Sequence, residues 1–349
     1  MNPLKLGLIG YGYWGPNLAR NFNEIPASEL VAVADLKEER LQKAHSLYPS
    51  VTTTKNYTDL FELGLDAVVV STPPALHHPI ARECLERGLH VLVEKPMTLS
   101  SRDAEDLVTL AEARGLTLMV GHTFEYNSAV HALKKYIDSG ELGEVYYIDM
   151  ARLNLGLFQR DSDVLWDLAP HDISILLYLL GQRPDTVSAH GMSCVFEHIT
   201  DVAYVNLNFA GRVVANIHVS WLDPCKVRRV TVVGSKKMIV YNDIENEQKL
   251  KIYDKGVDAP TYTNGFGEFQ CNYRSGDITI PKIKFVEPLR EECQHFLECI
   301  REGKRPSSSG HDGLSVVRIL EAAEHSMLNG STKEVIQWQA LNLPVSLPM

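Results

Sequence analysis

Asp167 and His171 stand four residues apart at the start of an apolar stretch, a spacing that sets both side chains on one face of a helix. An imidazole titrates near neutral pH and can take the proton of a hydroxyl, while a neighbouring carboxylate orients the ring or binds an adjacent hydroxyl. The same spacing suits a helix N-cap followed by a surface histidine. No cysteine or third ligand accompanies the pair at zinc spacing, so no metal is expected there. Glu94-Lys95-Pro96 is the second candidate, because it ends a short apolar run. An ammonium at a strand end can hold a substrate oxygen and stabilise the negative charge that grows on it. Pro96 fixes the turn, and an X-Pro bond there can be cis. A solvated Lys-Pro turn is the alternative reading.

A third pattern says what the lysine would stand beside. The apolar run Leu6-Gly7-Leu8-Ile9 feeds into Gly10-Tyr11-Gly12-Tyr13-Trp14-Gly15, and Asp35 closes the next apolar run, twenty residues beyond Gly15. Three glycines permit a tight turn, a close approach of the backbone to a pyrophosphate, and packing of the next helix on the strand. The helix start, with Pro16 where a missing N–H costs nothing, offers its N–H groups to the phosphates. Asp35 can accept hydrogen bonds from ribose hydroxyls and would repel a 2′-phosphate, which favours NAD; Lys37 and Arg40 follow it and keep NADP admissible. A purely structural turn is the competing reading, weakened by the coincidence of strand, turn and acid. Ser71-Thr72-Pro73-Pro74 and then His77 follow another strand, where the loop would face ribose and nicotinamide or simply open a helix. His122, at the end of a fifth strand, would line the same cleft or pack between domains.

These residues need a scaffold that gathers strand ends. Residues 5–10, 30–34, 67–71, 91–94 and 117–121 read as short strands, with helical stretches over 16–22, 38–46, 58–63, 79–86 and 101–113 between them. The alternation predicts an α/β, doubly wound parallel sheet, a Rossmann domain over 1–124, whose ligands sit at the carboxyl ends of its strands. From 125 to 349 the pattern changes. A helix over 128–139 precedes β-branched runs at 144–153, 186–195, 201–210, 213–221 and 228–234, read as an antiparallel meander. Helices over 165–180, 287–302 and 313–328 complete an α+β domain with a large, mostly antiparallel, open-faced sheet. Residues 256–281 read as a long loop or ordered arm. Arg152, Arg160, Lys226, Arg228 and Arg229 can meet an anionic substrate there, or be solvated and ion-paired.

A net charge of −10 argues against nucleic acid and anionic membrane surfaces as partners. The six cysteines include no CxxC pair, which fits reduced thiols. No run approaches membrane-spanning length and the apolar N-terminal run is too short for a signal peptide, so a cytoplasmic protein is expected.

Taken together, Gly10-x-Gly12-x-x-Gly15, Asp35, Ser71-Thr72-Pro73-Pro74-x-x-His77, Glu94-Lys95-Pro96 and Asp167-x-x-x-His171 resemble the Gfo/Idh/MocA oxidoreductases, the glucose–fructose oxidoreductase and inositol dehydrogenase family. The resemblance runs through Gly140-Glu141-Leu142-Gly143-Glu144 to Glu287-Pro288-Leu289 and His295-Phe296. It implies that Lys95 contacts the nicotinamide ribose and the reacting hydroxyl, that His171 is the general acid/base with Asp167 binding or orienting, and that Glu94 lies by the cofactor. The cofactor set would be the residues from Gly10 to Gly15, with Asp35, Ser71, Thr72, Pro73, His77, Glu94 and Lys95. The substrate set would be Lys95, His122, Arg152, Asp167 and His171. The implied reaction is reversible hydride transfer between NAD and a secondary hydroxyl or ketone of a sugar. Trp14-Gly15-Pro16-Asn17 and Trp166-Asp167-x-x-Pro170-His171 are similar to members acting on nucleotide-linked sugars, often at C3. A free polyol such as an inositol, or glucose, is the alternative substrate, and a non-catalytic nucleotide or sugar sensor the alternative class. Family members assemble as dimers or tetramers through the open sheet face. The chain departs from the family in Asp161-Ser162-Asp163-Val164-Leu165-Trp166, where relatives carry glycines, and at Glu125, where arginine or an apolar residue is frequent.

Overall fold

Ala67–Val70 is apolar at every position and buried at every position, the mark of a strand covered on both faces. In the computed structural model, which describes residues 2–158, 162–258 and 272–338, it is the fourth of six parallel strands. These are β1 (Leu4–Ile9), β2 (Ser28–Ala34), β3 (Thr52–Thr54), β4 (Ala67–Val70), β5 (His90–Glu94) and β6 (Leu118–Gly121), in the order β3-β2-β1-β4-β5-β6. The order reverses between β1 and β4, so the strand ends beside that point form the crevice where such sheets bind ligands. Helices α1 (Gly15–Glu24), α2 (Glu38–Leu47), α3 (His77–Glu86) and α4 (Ser101–Arg114) cover the two faces, each facing its own apolar cluster. β3, only three residues long, is a strand that periodicity missed.

The second unit carries α5 (Ser128–Asp138), β7 (Val145–Leu155), α6 (Val164–Leu180), β8 (Pro184–Met192), β9 (Val202–Phe209), β10 (Val214–Ser220), β11 (Leu222–Gly234), β12 (Met238–Asn242), β13 (Leu250–Asp258) and β14 (Asn272–Thr279). Two helices follow, α7 (Pro288–Glu302) and α8 (Gly310–Leu328), and then the short strand β15 (Glu334–Val335). The nine-stranded sheet runs β14-β13-β12-β11-β7-β10-β9-β8-β15, and its pairs are antiparallel except β7 with β10. A simple meander was therefore the wrong expectation: β7, first in the chain, lies between two meanders, parallel to one neighbour and antiparallel to the other. Alternation along a strand tells which face is apolar but not which strand lies alongside. Of the long loop or ordered arm expected over 256–281, both described ends carry strand, in β13 and β14, while residues 259–271 lie outside the described residues.

Nor does the chain divide once at 124. Among the described residues, the first unit comprises 2–126 with Val286–Glu321 and 337–338, and the second Asn127–Phe285 with Ala322–Ile336. The reason lies in the apolar stripe of α7: Leu289, Cys293, Phe296 and Leu297 join the core of the first sheet, and Phe296 meets Phe22 edge-on with ring centres 6.5 Å apart. Glu287 accepts from Arg20 and Asn21 on α1, and Arg318 pairs with Glu105 on α4. Among the described residues no helix is long and apolar enough to cross a membrane.

Candidate active site

In the first unit the site is built around the turn from β1 into α1. Gly10 has φ +96°, and a Cβ there would lie 2.6 Å from the Ser71 carbonyl oxygen. A Cβ on Gly15 would collide with the carbonyl oxygen of Gly10. Both positions demand glycine, because β4 passes against the turn and any side chain would push them apart. Ser71 Oγ ties the two together by donating to the Gly10 carbonyl at 2.7 Å. Helix α1 begins at Trp14 and Gly15 with Pro16 in its first turn and no side-chain cap, so its first N–H groups are available to an anion.

Asp35 has a larger role in the fold than hydrogen bonding to a ribose requires. Its Oδ2 accepts from the Tyr11 N–H at 2.7 Å and from Arg40 Nη1 at 3.1 Å, and its Oδ1 accepts from the Lys37 N–H at 2.9 Å. The carboxylate thus fixes the glycine turn and the end of β2 relative to each other. Arg40 is held to the acid, with its guanidinium also near Gly12. Tyr13 points to solvent, 89% exposed. Thr72 Oγ1 and both ring nitrogens of His122 are buried and meet no hydrogen-bond partner among the described residues. A glycine cradle, an uncapped helix start, an acid after β2 and unsatisfied buried polar atoms at the far end together fit a dinucleotide such as NAD.

His77 opens α3, the second of its two readings. Its Nδ1 lies 2.8 Å from the Pro96 carbonyl and its Nε2 2.8 Å from the Thr72 carbonyl, with the ring buried. Both nitrogens face backbone, so the residue braces the loop after β4 against the loop after β5. Pro73 opens the short 3-10 turn between them.

Glu94 ends β5, Lys95 follows it directly, and the Lys95–Pro96 peptide is cis. The Lys95 N–H donates to its neighbour's Oε2 at 3.2 Å. Burial pushes the Glu94 carboxyl up to about 7, against the opposing pull of the Lys95 charge and amide and of Trp14. Burial, reinforced by the Lys95 charge, pushes His122 down to about 3, so its ring is neutral at physiological pH. Two residues that spacing did not single out complete this corner. Glu292 on α7 is fully buried and accepts from Thr123 Oγ1 at 2.8 Å, and burial together with the Glu94 charge raises its carboxyl well above the ordinary range. Its signal in the sequence was a carboxylate within the apolar stripe 289, 293, 296 of a helix. Glu125 is also buried and raised, chiefly by burial and then by Asp312 and Glu292.

In the second unit, α6 carries Asp167 and His171. Asp163 is the N-cap, its carboxylate accepting from the Trp166 N–H at 3.0 Å, which removes the capping alternative for Asp167. Asp167 Oδ2 instead accepts from the indole N–H of buried Trp221 at 3.1 Å. Pro170 lies in the helix interior rather than its first turn. His171 lines a cavity of about 80 Å3 with Asn154, Arg152, Lys226 and Arg228. Arg152 is buried and bidentate to Asp172, its Nε donating at 2.8 Å and its Nη2 at 3.1 Å. Arg160 lies outside the described residues.

Such a dinucleotide cradle joined to an antiparallel open-sheet unit defines an NAD-dependent oxidoreductase. Residues 4–122 match the model of the oxidoreductase family with an NAD-binding Rossmann fold, and residues 130–240 match the GFO/IDH/MocA C-terminal domain. The chain belongs to the Gfo/Idh/MocA family. It is 28% identical to scyllo-inositol 2-dehydrogenase (NAD(+)) of Bacillus subtilis, over 94% of this chain and 93% of that one. It is 29% identical to UDP-N-acetylglucosamine 3-dehydrogenase of Acidithiobacillus ferrooxidans, over 92% and 95%. The solved structure of UDP-N-acetylglucosamine 3-dehydrogenase from Acidithiobacillus ferrooxidans superposes with a TM-score of 0.75 at 25% identity, covering 94% of this chain and 100% of that one. Levoglucosan dehydrogenase, solved with NADH and levoglucosan, shares the fold at TM-score 0.81 and 20% identity, over 96% and 99%.

Proposed function

We propose that this chain oxidises a secondary hydroxyl of a sugar carried on a nucleotide, or reduces the corresponding ketone, at C3. The observation that carries the reading is the complete set of Lys95 at the end of β5, beside a buried neutral His122, and Asp167 one helical turn before His171 on α6. Bound NAD supplies the hydride acceptor. Lys95 holds the hydroxyl oxygen and offsets the negative charge that grows on it as the carbonyl forms. His171 takes the hydroxyl proton, and returns it in the reverse direction. Asp167, itself held by the Trp221 indole, orients substrate and ring. Thr72 and His122, with buried polar atoms that meet no partner among the described residues, would supply polar contacts to the nicotinamide end.

The nucleotide-linked substrate is supported by the Acidithiobacillus dehydrogenase, which matches this chain over nearly its full length. The Bacillus scyllo-inositol dehydrogenase matches comparably and supports a free polyol as the second reading. A panel of nucleotide-linked sugars, inositols and glucose, followed by NADH absorbance, separates the two. Lys95→Ala should lower kcat on the accepted substrate by about 10²- to 10³-fold, the scale of losing a charge-stabilising donor. Full turnover by that variant would end the reading, whereas ligand-dependent partner binding by the wild type without any turnover would favour a sensor. The open face of the large sheet, with Tyr147, Tyr204 and Val214 exposed and the Tyr204 ring stacked on His218 at 4.1 Å, supports a homodimer or homotetramer joined there.

A further inference from the structure

The cavity beside His171 has a charge distribution that the chemistry at His171 does not require. Arg152 on β7 and Arg228 on β11 are register partners in an antiparallel pair, and like charges set opposite each other destabilise a sheet. Asp172 answers Arg152, while Asp243 answers both Arg228, at 3.3 Å, and Lys249, at 3.6 Å. Lys226, two residues before Arg228, brings a third cation to the cavity wall. Arg152, Lys226 and Arg228 thus set three cations in the cavity wall, and Asn154 adds an amide to it. Lys226 is exposed, whereas Arg152 behind it is buried, so the charge is arranged from the floor of the cavity to its rim.

We infer that this cavity is an anion subsite for the substrate, in which Lys226, backed by Arg228, receives phosphate or carboxylate oxygens carried by the sugar whose hydroxyl meets His171. Its volume of about 80 Å3 suits one such group. A charged acceptor is the ligand for which charged donors are worth most. The inference rests on the proposed sugar substrate, and it narrows that class to sugars bearing a negative group close to the reacting carbon.

The test is titration calorimetry of the NAD-loaded protein with inorganic pyrophosphate and, separately, with glucuronate, at fixed ionic strength. At least one anion should bind, and the stronger identifies the source of the charge, a phosphate or a ring carboxylate. Lys226→Met should weaken that binding about tenfold, and Lys226→Arg should restore most of it. Arg229→Met, which removes the same charge from the neighbouring β11 position that does not line the cavity, should bind as the wild type does. In steady-state assays the Lys226→Met loss should fall on KM for an anionic sugar more than on kcat. Failure of both anions to bind, or equal binding by wild type and Lys226→Met, overturns the subsite. Anion binding without turnover of any nucleotide-linked sugar overturns the substrate reading and leaves the subsite standing.

Discussion

His122→Asn should flatten the acid side of this protein's stability profile. In the folded chain the His122 imidazole is fully enclosed, and burial together with the Lys95 charge lowers it to about 3. Unfolded, it titrates near its ordinary value of about 6.5. Below that pH the unfolded chain takes up a proton that the folded chain refuses, so stability is complete above pH 6.5 and falls as pH drops toward the folded value. At pH 5 the difference of roughly 1.5 units costs about 2 kcal/mol, at about 1.36 kcal/mol per unit. The assay is urea denaturation of wild type and variant at pH 7.5 and pH 5. Wild type should lose about 2 kcal/mol more than the variant over that interval, every other titrating group being common to both. A histidine ring NMR signal absent from the variant should stay unchanged from pH 8 to pH 5. Equal losses in the two proteins, or a His122 signal titrating near 6.5, would refute the burial argument.

Asp35→Ser should release Arg40, which the acid now holds at 3.1 Å, and remove the charge that repels a 2′-phosphate. NADPH affinity relative to NADH should rise at least tenfold by fluorescence titration; an unchanged ratio would show that Asp35 serves the turn alone. Arg152→Met leaves Asp172 buried, and removing one partner of a buried ion pair costs about 3–5 kcal/mol. Adding Asp172→Leu should recover much of that loss in a denaturant midpoint, and a double variant no more stable than the single one would contradict the pairing.

The chemistry-bearing motifs were legible because each is local. A glycine turn, an acid after the next strand, a lysine ending a strand and two residues a helical turn apart are short-range patterns, and geometry over a few residues follows from backbone sterics. Other parts were invisible for the converse reason. Nothing near Arg152 announces Asp172, twenty residues on, and nothing near Thr123 announces Glu292. The bracing role of His77 depends on two carbonyls brought together by separate strands. The capping of α6 by Asp163 was within reach, since an acid three residues before Trp166 is a common N-cap pattern.

From the sequence alone came the type of fold in each part of the chain, the nucleotide turn and the residues suited to proton and charge transfer, all set by local periodicity and side-chain chemistry. Tertiary structure alone decided that β7 runs between two meanders, that α7 completes the first core, and that His122 and Glu292 lose water and with it their ordinary proton affinities. Those outcomes depend on burial and on partners distant in the chain, and desolvation is a property of the packed surroundings rather than of the residue.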